Sequence, residues 1–337
     1  MLRNSVFIIA EAGVNHNGSL KLAKKLIDAA AETGADAVKF QTFKTEKLVT
    51  LSTPQAGYQK KNAPAGSQYE MLKKLELSDE DFRGLFDYCA KRKIMFLSTP
   101  FDLESADFLC QLGMKYFKIS SGDLTNLPML SKIAAYKKPL LLSTGMSTLA
   151  EVGEAVKAVR SSGNKTMTIM HCTSNYPTRY EDVNLKALLT LQRAFRLPIG
   201  YSDHTPGVEV SIAAVALGAG VIEKHLTLDK KLSGPDHRAS LEPAEFISLV
   251  ESIRHIEKAL GDGEKTPRKS EHETRRIARK SIVAAVDIKK GSRIAAAMLA
   301  VKRPGTGIEP KYLPRIIGKR STENIKRDEM LDWGMMR

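Results

Sequence analysis

The chain has 337 residues, of which 42% are hydrophobic and 27% charged, the balance of a folded globular protein with room for more than one domain. No apolar run approaches the roughly 20 residues of a membrane span, and the first is shorter than a signal-peptide core, so we expect a cytoplasmic protein with no membrane partner. The net charge of +14 favours an anionic ligand. Nucleic acid is not expected, because aromatic residues do not alternate with the lysines and arginines.

Eight short apolar runs follow one another in the first 262 residues, and amphipathic stretches fill the space between them. This alternation predicts βα units, and eight such units predict an α/β fold of the (β/α)8 TIM-barrel type. The predicted strands are residues 6–10, 37–40, 94–97, 116–119, 140–142, 166–170, 198–200 and 221–222.

The second connection is unusually long. Residues 42–77 separate the second strand from its helix and include a polar piece with glycine and proline. Long loops in compact domains commonly cover an active site, so this segment is predicted to be a lid. Tyr58, Gln59 and residues 68–70 are expected to meet the substrate.

The βα pattern ends near residue 260. We therefore assign residues 1–262 to a catalytic barrel, the charged stretch 263–278 to a linker and residues 279–337 to a second domain. The second domain shows short strands and tight turns in fewer than about 60 residues, which gives it a marginal core by itself.

Polar side chains follow every predicted strand at its carboxyl end, where TIM barrels place their active sites. A protein with a purely structural role would have little use for such a ring. Its members are Glu11, Asn15, Lys39, Gln41, Ser98, Thr99, Lys118, Ser120, Ser121, Ser143, Thr144, His171, Thr173, Tyr176, Ser202, Asp203, His204, Glu223, Lys224 and His225.

Lys39 and Lys118 are the informative cations of this ring. A buried ammonium group is costly unless an anion meets it. One interpretation pairs the lysines with Glu11 or Asp123, and the other makes them a clamp for a phosphate and a carboxylate. Small-residue turns at three neighbouring strand ends favour phosphate, because their N–H and hydroxyl groups can bind its oxygens.

His204 and His225 end adjacent strands and can converge on one divalent ion that keeps open positions for substrate. His171 and Glu223 are further candidate ligands, and the alternative is that the histidines are structural. The carboxylates Glu11 and Asp123 suit proton transfer or sugar hydroxyls, with service as counter-ions of the lysines as the alternative.

Several of these residues lie in motifs that resemble those of bacterial N-acetylneuraminate synthases, so the chain resembles the sialic acid synthase family over nearly its whole length. The motif at 301–307 is similar to one in the antifreeze-like C-terminal domain of that family (SAF, β-clip). The motifs are IAEAGVNHNG at 9–18, VKFQT at 38–42, FLSTPF at 96–101, KISSGD at 118–123, LSTGM at 142–146, HCT at 171–173, SDHT at 202–205, EKH at 223–225, GPDH at 234–237 and VKRPGTG at 301–307.

The resemblance implies a transferase that condenses phosphoenolpyruvate with open-chain N-acetylmannosamine and water to give N-acetylneuraminate and phosphate. The alternative is a legionaminate synthase that uses 2,4-diacetamido-2,4,6-trideoxymannose. A synthase of the 9-phosphate, which takes a 6-phosphosugar, is less expected because no additional cations can be identified. The resemblance also implies a homodimer with exchanged C-terminal domains and a divalent metal, Mn2+ first, with Mg2+ or Co2+ as alternatives.

Residue by residue, the resemblance makes Glu11, Asp123, Lys39 and Lys118 catalytic and His204 and His225 the metal ligands. Two departures from the family pattern are Asp123, where many relatives have Glu, and Ser174, where some have Asn. The implied phosphoenolpyruvate contacts are Lys39, Thr99, Lys118, Ser121, Ser143, Ser174, Tyr176 and Ser202. The implied sugar contacts are Glu11, Gln41, Tyr176, Asp236 and, from the partner chain, Arg303.

Two other classes of function are alternatives to the synthase. One is a carbohydrate-binding barrel that has lost its chemistry, which the intact Lys39, Lys118, His204 and His225 argue against. The other is a nucleic-acid binder, which rests on net charge alone.

Overall fold

The computed structural model describes residues 5–62 and 66–337. The chain forms two compact units, Met1–Gly261 and Asp262–Arg337. In the described residues, no helix is long and apolar enough to cross a membrane.

The N-terminal unit is a barrel of eight parallel strands, as predicted. Hydrogen bonds join the strands in the order β3-β2-β1-β8-β7-β6-β5-β4, and β3 and β4 lie against each other to bring the barrel close to closure. The strands are β1 Phe7–Gly13, β2 Ala37–Thr42, β3 Met95–Pro100, β4 Phe117–Ile119, β5 Leu140–Ser143, β6 Met167–Cys172, β7 Ile199–Asp203 and β8 Val221–His225.

The strands are buried on both faces, because side chains fill the barrel on one side and helices cover the other. The sequence of β5, Leu-Leu-Leu-Ser, is buried at all four positions, which is typical of a parallel strand covered on both faces. The helices of this unit are α1 Leu20–Glu32, α2 Thr45–Leu48, α3 Gly57–Asn62, α4 Gln68–Leu75, α5 Asp79–Lys91, α6 Leu103–Gln111, α7 Leu127–Ala135, α8 Leu149–Ser161, α9 Ala187–Phe195, α10 Glu209–Ala216 and α11 Pro243–Leu260.

The long connection between β2 and α5, which was predicted to be a lid, contains regular structure that the sequence pattern did not indicate. It contains the three short helices α2, α3 and α4, and part of it packs into an apolar cluster of its own that includes Val14, Phe43, Met71, Leu72 and Leu75. The side chain of Tyr58 lies outside the described residues. The pattern of alternating strands and helices did not show this cluster because its apolar residues come from both ends of the connection and from the loop after β1.

The C-terminal unit contains α12 His272–Ala278, the antiparallel strands β9 Ser281–Ala284 and β10 Leu299–Lys302, and α13 Leu313–Ile316. It has a small core of its own. The core residues are mostly isoleucines, namely Ile282, Ala284, Ile288, Ile294, Ile308, Ile316, Ile325, Leu331 and Met336.

Candidate active site

A cavity of about 490 Å³ lies where the barrel strands end, and most of the predicted site residues line it. Among the barrel residues given a catalytic, phosphoenolpyruvate, sugar or metal-ligand role by the resemblance, Asp123 does not line it. Those that line the cavity are Glu11, Lys39, Gln41, Thr99, Lys118, Ser121, Ser143, Ser174, Tyr176, Ser202, His204, His225 and Asp236.

A charge cluster of Glu11, Lys39, Lys118 and Glu223 forms one part of this cavity. The Lys39 ammonium lies 2.7 Å from Glu11 Oε2 and 3.7 Å from Glu223 Oε2, and the Lys118 ammonium lies 3.5 Å from Glu223 Oε1. All four side chains are buried. Lys39 thus has the Glu11 partner that the sequence suggested, and Glu223 serves both lysines.

Hydroxyl groups complete the surroundings of the two ammonium groups. Lys39 donates to Thr99 Oγ1 at 3.1 Å, and Lys118 donates to Ser143 Oγ at 2.6 Å. Ser202 Oγ donates to Glu223 Oε1 at 2.9 Å. These contacts draw on β2, β3, β4, β5, β7 and β8, so closure of the barrel is what assembles the cluster.

The two carboxylates of the cluster differ strongly in pKa. Burial opposes the ionisation of Glu223, but Lys118, Lys39 and the Ser202 hydroxyl outweigh it and lower its pKa to about 2. At Glu11, burial and the negative charge of Glu223 both favour the protonated carboxyl. Together they outweigh the attraction of Lys39 and raise the pKa of Glu11 to about 7. Near neutral pH, Glu11 is therefore partly protonated, and the cluster has an excess of positive charge that suits an anion.

Gly145 sits where three side chains crowd the loop after β5. A Cβ at this position would lie 2.2 Å from Ser174 Oγ, 2.8 Å from Ser121 Oγ and 2.9 Å from Cys172 Sγ. The Gly145 amide instead donates to Ser121 Oγ at 3.0 Å. Glycine is required here because only a residue without a side chain lets these serines approach the backbone and line the cavity together.

His204 and His225 fit a divalent metal. Their ring centroids are 5.6 Å apart, and burial lowers the pKa of His204 to about 4 and that of His225 well below its ordinary value, so both imidazoles are neutral. His204 Nδ1 is 2.7 Å from the carbonyl of Thr173 and must carry the proton, which leaves Nε2 with a lone pair. His225 Nδ1 is buried and has no hydrogen-bond partner in the described part of the chain.

These two histidines provide a partial set of metal ligands. The described residues contain no group of three or more His, Cys, Asp or Glu side chains placed to hold a metal ion. His171, a further candidate from the sequence, instead contacts the carbonyl of Val183 through Nε2 at 2.7 Å. The residues fit an ion with open positions for oxygen ligands from water or substrate.

The predicted sugar contacts Gln41, Tyr176 and Asp236 line the cavity with the histidines. Gln41 Nε2 is 3.5 Å from Glu11 Oε1, and the Tyr176 ring lies 4.2 Å from that of His204. Asp236 is buried, and burial raises its pKa to about 6. The cavity therefore offers polar groups next to the histidines as well as at the charge cluster.

Asp123 stands apart from these groups. Asp123 belongs to a single turn after β4, where its Oδ2 accepts the hydroxyl hydrogen of Ser120 at 2.6 Å. Asp123 contacts Ser120 and Asn126, and the carboxylate that lies against Lys118 is that of Glu223, so the suggested pairing of Asp123 with a lysine is replaced by one with Glu223. Arg303 follows β10 in the C-terminal unit and is exposed.

Glu223 is the residue whose role the sequence reasoning did not identify, since it was considered only as a metal ligand. The signal was available, because side chains alternate along a strand and Glu223 must face the same side of β8 as His225. The missing information was the distance across the barrel from β8 to Lys39 and Lys118.

Comparison with known proteins agrees with the sequence motifs. The model of the NeuB family matches residues 26–265, and that of the SAF domain matches residues 279–337. The chain belongs to the NeuB family. The resemblance and the fold predicted from the sequence are thereby confirmed, as is the prediction of an enzyme, since its relatives in this family are named synthases.

Two NeuB-family relatives are N,N'-diacetyllegionaminic acid synthases. That of Campylobacter jejuni is 52% identical over 96% of this chain and 98% of its own, and that of Legionella pneumophila is 52% identical over 97% and 93%. Human N-acetylneuraminate-9-phosphate synthase is 37% identical over 96% and 91%. Among solved structures, the N-acetylneuraminic acid synthetase of Leptospira borgpetersenii has a TM-score of 0.72 at 37% identity, covering 80% of this chain and 90% of that one.

Proposed function

We propose that this NeuB-family enzyme is an N,N'-diacetyllegionaminate synthase. It would condense phosphoenolpyruvate with open-chain 2,4-diacetamido-2,4,6-trideoxymannose and water and release phosphate. The observation that carries the proposal is the 52% identity over almost the full length of two relatives with this activity in their names. The sequence alone preferred N-acetylmannosamine, but human N-acetylneuraminate-9-phosphate synthase, a relative named for N-acetylneuraminate chemistry, is less similar, at 37% identity.

The charge cluster is the proposed phosphoenolpyruvate site. Lys39 and Lys118 would bind the phosphate and the carboxylate, and the hydroxyls of Thr99, Ser143 and Ser202 already lie within hydrogen-bond reach of cluster members. Ser121 and Ser174 on the crowded side of Gly145 would add hydroxyl donors. Charge-assisted hydrogen bonds of this kind are about twice as strong as neutral ones.

The reaction forms one carbon–carbon bond and one carbon–oxygen bond from water, and it breaks the carbon–oxygen bond to phosphate. The π electrons of phosphoenolpyruvate bond its C3 to the sugar C1, and the aldehyde oxygen takes up a proton to become a hydroxyl. Water adds to the electron-poor C2 and loses a proton. The bond from C2 to the phosphate oxygen then breaks, phosphate leaves with that electron pair, and the C2 hydroxyl loses its proton to give the keto acid.

Glu11 is placed to handle the protons of this sequence. Its pKa of about 7 allows it to give a proton to one oxygen and recover one from another at neutral pH. Gln41 lies beside it, with Nε2 3.5 Å from Glu11 Oε1. We keep Asp123 as a proposed second proton carrier, because burial raises its pKa as well.

We propose His204 and His225 as the residues that would hold the metal, with Mn2+ as the first candidate and Mg2+ or Co2+ as alternatives. When bound, such an ion supplies Lewis-acid polarisation of a carbonyl oxygen. The chain contributes two neutral imidazoles, one of them oriented by its Nδ1–H bond to the Thr173 carbonyl.

We also propose a homodimer in which the C-terminal domain of each chain supplies Arg303 to the sugar site of its partner. Mixing an Arg303→Ala chain with a His204→Ala chain tests this directly, because we expect each variant to be inactive alone. If Arg303 acts on the partner, mixed dimers regain activity in the barrel that has intact histidines and receives an intact Arg303. If it acts on its own barrel, no mixed dimer gains activity.

Product analysis tests the proposed function. The enzyme is incubated with phosphoenolpyruvate, the diacetamido sugar and Mn2+, and the products are examined by mass spectrometry and a phosphate assay. We expect one phosphate for each molecule of a nine-carbon diacetamido keto acid. Absence of phosphate release with the diacetamido sugar and with N-acetylmannosamine contradicts a synthase of this kind.

A further inference from the structure

We propose that Met71, Leu72 and Leu75, which form an apolar wall of the cavity on helix α4, select the sugar by receiving a methyl group at its C6. This inference rests on the proposed function, because it takes the condensation of phosphoenolpyruvate with a sugar as given. It goes beyond that function by assigning the choice of sugar to three named side chains. We call these three residues the α4 wall.

The α4 wall is held firmly in place. Helix α4 begins at a capping box in which Ser67 and Glu70 bond to each other's backbone amides. Positions 71, 72 and 75 share one face of the helix and are buried, each with 7 or 8% of its surface exposed. They pack with Val14 and Phe43 in a cluster separate from the main core of the barrel.

The α4 wall and the charge cluster are chemically different parts of the cavity lining. Among the described residues that line it, the lysines are Lys39 and Lys118, and both are already paired with carboxylates. The lysines of α4 itself are exposed and do not line the cavity, and Lys73 is paired with Glu46 at 2.7 Å. Phosphoenolpyruvate suits the charge cluster, which leaves the apolar lining of α4 for the far end of the sugar.

The chemistry of the α4 wall distinguishes three substituents at C6. A phosphate would meet apolar side chains and lose its hydration, which is very costly for a charged group. A hydroxyl would lose hydrogen bonds to water without gaining any from methionine or leucine. A methyl group gains, because its burial against these apolar side chains removes apolar surface from water.

Two amide side chains line the cavity together with the α4 wall, and they provide a second basis for selecting the sugar. Gln68 Nε2 donates to Gln59 Oε1 at 3.3 Å, and the same oxygen accepts the Ala56 amide at 2.8 Å. Amide groups pair well with an acetamido group, which presents one donor and one acceptor. An acetamido group at C4 and a methyl group at C6 belong to the same end of the sugar.

The test compares two sugars that differ only at C6, namely 2,4-diacetamido-2,4,6-trideoxymannose and its 6-hydroxy counterpart. An apolar pocket discriminates against an added hydroxyl by about 10- to 100-fold, so the wild-type ratio of kcat/KM should favour the 6-deoxy sugar by that factor. Met71→Gln and Leu72→Asn place amides in the wall and should lower this ratio at least about tenfold. The matched control is Phe43→Leu, because Phe43 belongs to the same cluster but does not line the cavity.

Each outcome bears on the inference separately from the proposed function. If the control variant is less stable yet keeps the wild-type ratio, while Met71→Gln or Leu72→Asn lowers it, the inference is supported. A wild-type ratio near one, or an unchanged ratio in variants that still turn over both sugars, overturns it and leaves the synthase intact. Failure of wild type to turn over either sugar counts instead against the proposed function, and the wild-type ratio remains decisive if a variant does not fold.

Discussion

The Lys118 ammonium lies 3.5 Å from Glu223 Oε1, and both side chains are buried. Glu223 also faces Lys39, so this one carboxylate neutralises charge on β2 and β4 from its position on β8. Pairing of one carboxylate with both lysines explains how the barrel can bury two ammonium groups before any substrate binds.

Replacing Glu223 by Gln should destabilise the folded enzyme by about 3–5 kcal/mol, because it leaves buried ammonium charge without its shared partner. Urea denaturation without added anions measures this free energy of unfolding. The control is Glu245→Gln, which removes the exposed partner of Lys230 and should cost less than about 1 kcal/mol. Equal effects of the two substitutions would show that Glu223 does not balance buried charge.

Lys118→Met should lower kcat/KM for phosphoenolpyruvate by about 10- to 100-fold, mainly through a higher KM. A hydrogen bond to a charged group contributes about 1.5–3 kcal/mol, and each 1.4 kcal/mol is a factor of ten. Steady-state kinetics with phosphoenolpyruvate varied measure the effect, and Lys132→Met, which removes an exposed cation, serves as control. A normal KM in Lys118→Met contradicts the proposed phosphoenolpyruvate site.

The pKa of about 7 at Glu11 makes stability depend on pH. In the unfolded chain this carboxyl ionises near 4.5, so between pH 4.5 and about 7 the folded state holds a proton that the unfolded state has lost. Stability from this group is therefore present below pH 4.5 and is lost as the pH rises to about 7. Glu223 acts in the opposite direction and only below pH 4.5, because its folded pKa is lowered to about 2.

The Glu11 effect can be isolated by comparing wild type with Glu11→Gln in urea denaturation with a chelator present. As the pH rises from 4.5 to about 7, wild type should lose stability relative to the variant. A difference that stays constant over this range, or that grows in favour of wild type, would show that burial does not raise this pKa.

His204→Gln and His225→Gln should each weaken Mn2+ binding by more than about 100-fold. Changing a residue that only orients a metal ligand costs about 10- to 100-fold, and loss of the ligand itself should cost more. Isothermal titration of the metal-free protein with Mn2+ provides a readout that does not depend on turnover. His255→Gln is the matched control, because His255 is exposed on α11. Wild-type Mn2+ affinity in both variants would contradict the proposal that His204 and His225 bind the metal.

The fold was predictable because it repeats one local pattern. Eight apolar runs with helical stretches between them leave few topologies other than a barrel, and the structure places a strand over each run. The connection between β2 and α5 has no such repeat. Its helix α4 is short, and its apolar face becomes recognisable only when Val14 and Phe43 come together from other parts of the chain.

The sequence predicted which residues lie at the site better than it predicted which side chains pair with one another. Lys39, Lys118, His204 and His225 were recognised from residue type and position at strand ends. The pairing of Glu223 with both lysines depends on distances across the barrel, which spacing along the chain does not encode. The motifs of the ring favour phosphoenolpyruvate chemistry generally, so they did not decide between sugars that differ at their far end.

The most direct test of the central claim is a comparison of phosphate release from phosphoenolpyruvate with three acceptors in Mn2+, with a chelator control for each. The acceptors are 2,4-diacetamido-2,4,6-trideoxymannose, N-acetylmannosamine and N-acetylmannosamine 6-phosphate. We predict the highest kcat/KM with the diacetamido sugar, a lower value with N-acetylmannosamine and no turnover of the 6-phosphate. A preference for either of the other two acceptors would contradict the proposed function.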